Sequence, residues 1–241
     1  MPGKRKRSGT SHRRRGVRKR RRLRSKTTKV NNAANAVYSK FSLPIRKSVK
    51  ARLRYSEKNT SIALGSSLQV KIYSANGMYD PNTAVGGNQP YGFDQLMAMY
   101  DHYTVIGSKI IAKFASTATG DQENGLIGIA LMDTPTALTD WRQYVEKGNC
   151  VYSFIQPSGT AGPDSTAMLT MSFSPKKFLS RSHPMSDPQL KGTDSSNPTE
   201  QAYFHIFGIS FTGVAAANAV FFHPVIEYIS VFFEPKALTT S

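Results

Sequence analysis

The chain has 241 residues, with 32 Lys and Arg against 15 Asp and Glu and a net charge of +17. A single cysteine, Cys150, excludes an internal disulfide, and with no continuous apolar segment near the N-terminus a reducing compartment is expected. The charge is uneven: 21 of the basic residues precede Glu57, the first acid, so the net divides into +21 ahead of it and −4 from there on, which excludes a uniformly basic body.

The positive block is densest in residues 4–29, "KRKRSGTSHRRRGVRKRRRLRSKTTK", where fifteen of twenty-six positions are basic: Lys4, Arg5, Lys6, Arg7, Arg13, Arg14, Arg15, Arg18, Lys19, Arg20, Arg21, Arg22, Arg24, Lys26 and Lys29. Only Val17 and Leu23 are apolar there. Self-repulsion and the lack of apolar surface leave nothing to offset conformational entropy, so an arm over 1–44 is expected to stay disordered until a polyanion neutralises it. A transit peptide would need an apolar face that this segment lacks. Guanidinium groups fork onto phosphate oxygens, lysines act as point charges, and each neutralised phosphate releases counterions. With no Phe, Tyr or Trp in residues 4–29 to stack on bases, binding by this block is expected to be salt-steep and blind to sequence. The clusters Lys4, Arg5, Lys6, Arg7 and Arg18, Lys19, Arg20, Arg21, Arg22 also match the basic runs used for nuclear import.

Residues 45–241 suit one all-β domain. In 49–55, Val49, Ala51, Leu53 and Tyr55 alternate with Lys50, Arg52 and Arg54, a period of two that gives one packing face and one cationic face. Leu68, Val70 and Ile72 alternate with Gln69, Lys71 and Tyr73 in the next segment. In "TVIGSKIIAKFAST", Ile106, Ile110, Ala112 and Phe114 are expected on one side, with Lys109 and Lys113 on the other. Segments 125–132, 150–155, 167–173, 202–212 and 225–233 complete eight strands. Several are apolar on both faces and need cover from a second sheet on one side and from loops or a neighbouring subunit on the other. The apolar stretch 213–233 is interrupted by Asn218, His223, Pro224 and Glu227, which fits a strand better than a membrane span. Short helices are expected at 139–148, capped by Asp140 or Thr139 and closed by Gly148, and at 93–100. Eight strands with long, unequal loops predict an eight-stranded jelly-roll sandwich. Loops 76–92 and 174–200 are long enough to carry surface function or form contacts.

No catalytic constellation emerges. The five histidines show no HxxxH or HExxH spacing, one cysteine cannot make a zinc set, and no phosphate loop or other cofactor motif is present. Asp121 and Glu123 could share a cation but offer too few ligands for a good calcium site. His205, inside an aromatic run, reads as a hydrogen-bonded core histidine. The Asn59-Thr60-Ser61 sequon reads as chance.

The passage "PYGFDQLMAMYDHYTVIGSKIIAKF", followed by "GLIGIALMD", resembles the capsid proteins of circular, Rep-encoding single-stranded DNA viruses, the circovirus-like group. The likeness is motif-like only over about residues 90–132. It implies a jelly roll assembled as about sixty copies in a small T=1 icosahedral shell. It further implies a basic arm inside against a single-stranded DNA genome, nuclear import receptors as host partners, and the virion and host nucleus as locations. Lys50, Arg52 and Arg54 would extend the cationic inner surface. Sixty arms of 15 charges would supply on the order of 900 positive charges, enough for a genome of roughly one to two thousand nucleotides once the first strand is counted. Two alternatives remain beside this reading: the jelly-roll capsid protein of a small or satellite RNA virus, and a cellular nucleic-acid-binding protein with a basic tail.

Overall fold

The alternating segments become strands in a nested order. The computed structural model describes residues 45–58, 60–84, 88–116, 124–156, 165–211 and 218–237, all within the unit Leu43–Ser241. Among them are β1 (Ser48–Ser56), β2 (Thr60–Leu64), β3 (Gln69–Ser74), β4 (Tyr100–Ser116), β5 (Gly125–Met132), β6 (Cys150–Ile155), β7 (Thr166–Phe173), β8 (Tyr203–Ser210) and β9 (Asn218–Pro235). Three short helices join them: α1 (Phe93–Met97), α2 (Trp141–Glu146) and α3 (Pro175–Phe178). One sheet runs β1-β9-β4-β7 with β2 also on β9, and the other runs β3-β8-β5-β6.

β1 and β2 are two stretches of a single line along β9, pairing with 225–233 and 218–222 respectively. Counted this way there are eight strand lines, and the pairs join first to eighth, second to seventh, third to sixth and fourth to fifth, all antiparallel. Such concentric pairing across two facing sheets is a jelly roll. The eight expected segments are all strands. The short β2, "TSIAL", was not among them, and its Thr60 hydroxyl donates to the carbonyl of Phe222.

The inner faces meet in a core that includes Tyr73, Tyr103, Phe114, Phe204, Tyr228 and Phe232. Alternation on β4 does not run through Ile106 as its sequence suggests. The register with β9 shifts between Val105 and Gly107, a bulge that leaves Ile106 as the extra residue. Val105 therefore points inward before it, and Ile110, Ala112 and Phe114 after it.

β5 and β8 are buried on nearly every residue, as expected of strands apolar on both faces. Their outward cover comes from this same chain. α2 lays Tyr144 flat against Phe207, with ring centroids 4.8 Å apart and 6° between planes, and Trp141 and Leu138 pack around Leu126, Ala130 and Met132. The helix starts where the sequence places its cap: Asp140 accepts from Arg142 N–H at 3.0 Å, and Gly148 ends it at φ 82°. Close packing leaves no room for a side chain at Gly128, where a Cβ would lie 2.2 Å from the Phe207 ring.

The two long loops hold each other. Asn197 Oδ1 accepts from Tyr79 N–H at 3.0 Å, Asn197 Nδ2 donates to the Asp80 carbonyl at 3.1 Å, and Tyr103 Oη accepts from Met78 N–H at 3.0 Å.

Candidate nucleic-acid interface

Every second residue of β1 faces away from the core, and Lys50, Arg52 and Arg54 are exposed there between Ser48 and Ser56, as their spacing predicts. Alternate strand residues stand about 6.6 Å apart, so the three cations form a column in which each lies within one screening length of the next. β9 carries Val231, Ile229 and Glu227 directly opposite them. The first two give the aliphatic stems of Lys50 and Arg52 an apolar surface to lie on, and Glu227 engages Arg54 through two bonds, Nη2 at 2.6 Å and Nε at 2.8 Å to Oε1.

Sheet order brings in a second column that the sequence reading had not joined to the first. β9 separates β1 from β4, and the register sets Lys109 beside Glu227 and Lys113 beside His223. Both lysines are exposed. Next to them β7 contributes Ser172 and Met168, neither of them acidic. In the rows from Lys50 to Lys113 this face carries five cations, Lys50, Arg52, Arg54, Lys109 and Lys113, against one carboxylate, Glu227, while Glu234 at the end of β9 is paired with His102 and Lys191.

Edge protection accounts for only part of this. β1 is an edge strand, where charge discourages pairing with another chain. β4 lies inside the sheet between β9 and β7, so Lys109 and Lys113 guard no edge. The period-two pattern of β4 was the available signal; what was missing was the adjacency of β4, β9 and β1.

The arm residues Lys4, Arg5, Lys6, Arg7, Arg13, Arg14, Arg15, Arg18, Lys19, Arg20, Arg21, Arg22, Arg24, Lys26 and Lys29 lie outside the described residues, as do Asp121, Glu123 and Asn59 of the sequon. Among the described residues no group of three or more His, Cys, Asp and Glu is placed to hold a metal ion, and no helix is long and apolar enough to cross a membrane.

The buried polar groups are structural. His205 is fully buried, with Nε2 2.9 Å from the Thr134 carbonyl and Nδ1 2.9 Å from Tyr144 Oη. A carbonyl only accepts, so Nε2 carries the proton. Nδ1 then accepts from the Tyr144 hydroxyl, whose oxygen takes the Leu138 N–H at 3.0 Å. This closed chain is complete with a neutral ring, and burial pushes the His205 pKa down to about 4. Tyr73 donates to Glu57 at 2.9 Å, and Asn82 holds the other carboxylate oxygen at 2.9 Å. Burial pushes the Cys150 thiol up to about 11, away from reactive thiolate chemistry.

Solved structures similar to this chain are found at low identity. A Desmodium yellow mottle tymovirus structure is 10% identical, covering 88% of this chain and 100% of its own, with a TM-score of 0.42. Cocksfoot mottle virus is 10% identical over 78% of this chain and 96% of its own, with a TM-score of 0.48. The T=1 subviral particle of a Penaeus vannamei nodavirus capsid protein deletion mutant is 12% identical over 76% and 98%, at 0.38. No protein-family model matches the chain. No curated protein matches it either.

Proposed function

We propose that this chain is a capsid protein that tiles into a closed shell and grips single-stranded nucleic acid by electrostatics. The observation that carries the reading is the open face of the five-stranded sheet, where Lys109 and Lys113 join Lys50, Arg52 and Arg54 with Glu227 as the one carboxylate directly opposite them in the strand register. In the sequence this face begins about twenty residues after the fifteen-charge block, so the two cationic segments follow each other closely along the chain and both suit a polyanion. Division of the chain into an arm over 1–44 and a shell domain over 45–241 belongs to the same proposal. Exposed Tyr152 and Phe154 on the edge strand β6, with Phe211 edge-on to Phe154 at 5.3 Å, supply apolar surface for contact between copies.

The narrower assignment to a circular single-stranded DNA virus rests on the passage 90–132 alone. The structural neighbours are capsid proteins of RNA viruses and give it no support, so a small RNA-virus capsid protein is the reading placed beside it. Nuclear import through Lys4–Arg7 and Arg18–Arg22 likewise rests on sequence alone. Electron microscopy of purified protein tests the main proposal: uniform closed particles are expected, and a monodisperse monomer at all salt and nucleic-acid concentrations would contradict it. Digesting the extracted cargo with DNase or RNase assigns the polymer.

A further inference from the structure

One part of the open sheet face is not accounted for by charge. Phe221 points outward from β9 and is 48% exposed, while its neighbours Val220 and Phe222 are buried on the other side. Across from it the sheet carries only small residues: Ser61 on β2, Ala115 on β4 and, beyond that, Thr166 on β7. The missing bulk leaves an open recess of about 550 Å³, walled by Phe221, Met168, Lys113 and His223. Met168 is 64% exposed, so an aromatic face and a thioether both stand in water at a site that also bears an ammonium group. His223, its Nε2 2.9 Å from Ser56 Oγ, closes the side toward β1. No carboxylate lines the recess.

We propose that this recess holds one unpaired base of a single-stranded nucleic acid, stacked on the Phe221 ring beside Met168, with the Lys113 ammonium on the flanking phosphate. The proposal rests on the polyanion reading above and adds a contact that reading does not contain. An aromatic platform next to a cationic track is the arrangement by which proteins hold single strands without sequence preference, since every base has a π-face. A volume of this order is ordinary for a small-molecule site and accommodates a base with its sugar. Duplex nucleic acid is excluded, because its bases are already stacked on one another. Residues 1–37 contain no Phe, Tyr or Trp, so aromatic stacking on a base has to come from further along the chain.

The test compares two oligonucleotides of equal length and phosphate number, a thymidine homopolymer and its fully abasic counterpart, by fluorescence anisotropy with the full-length protein. The wild type is expected to favour the base-bearing strand by about tenfold. Phe221→Ala brings that ratio close to one without changing the dependence of affinity on salt. Phe221→Trp keeps the ratio, and its added indole emission is quenched by the base-bearing strand and not by the abasic one. A ratio unchanged by Phe221→Ala, or an indole indifferent to the base-bearing strand at saturation, overturns the base site. An unchanged salt slope in such a result leaves the polyanion reading standing, whereas a wild type without any salt-dependent binding sinks that reading itself. Should the recess instead serve contact between copies, Phe221→Ala alters assembly and leaves the ratio as it was, which also overturns the proposal.

Discussion

The outward side of β8 presents His205, Phe207 and Ile209, and that of β9 presents Phe221, His223, Val225 and Glu227. Both strands sit inside their sheets and both send their other side into the same core. On β8 the outward residues lie under α2, with Tyr144 stacked on Phe207 and bonded to His205. Among the described residues no such helix lies on the outward side of β9, and the cations of β1 and β4 flank it. Alternation thus decides that a strand has two sides, and the connections between strands decide which side the chain covers itself. On the function proposed above, the cationic side of β9 meets a polyanion.

Removing the cover should cost most. Tyr144→Ala deletes the ring over Phe207 and strands His205 Nδ1, and chemical denaturation should show a loss of about 3–5 kcal/mol. Next comes acid. The His205 pKa is about 4 in the fold against an ordinary 6.5, so the unfolded state takes up the proton first and stability falls as pH drops from about 6.5 to about 4. The loss amounts to about 3 kcal/mol, measurable in urea melts at pH 7, 5.5 and 4. A His205→Leu variant, although less stable at neutral pH, should lack that portion of the acid limb.

The uncovered side should respond in the opposite manner. Changing Lys50, Arg52, Arg54, Lys109 and Lys113 together to Gln should leave stability within about 0.5 kcal/mol per site. It should flatten the log–log salt dependence of single-strand binding by about 0.7 for each cation that touches a phosphate. Smallest of all is the Arg54–Glu227 pair. Its arginine is largely exposed, and a double-mutant cycle should return less than about 1 kcal/mol.

Most of the strands could be read from the sequence because period two is local: Lys50, Arg52 and Arg54 are exposed because Leu53 and Tyr55 are not. Partnership between strands was beyond that signal. Lys109 and Glu227 share a row only because the last strand lies between the first and the fourth, and composition carries no trace of this. Ile106 was placed on the wrong side because a bulge adds a residue without changing the run of hydrophobics. Phe221 and Phe222 are chemically identical in an apolar stretch, and only the lie of β9 shows that one is packed and the other open. The cap of α2 was legible for the opposite reason, since Asp140, Arg142 and Gly148 act on their immediate neighbours.

The concentric pairing of the strands also sets an order of events. β1 hydrogen-bonds to β9, with the Ser230 hydroxyl reaching the Ala51 carbonyl from 179 positions away along the chain. On the ribosome the opening strand must therefore wait for the closing one, and topologies so dominated by distant contacts mature slowly. Throughout that wait the nascent β1 has no partner for its backbone, and its lysine and two arginines are what keep it soluble and apart from other unfinished chains.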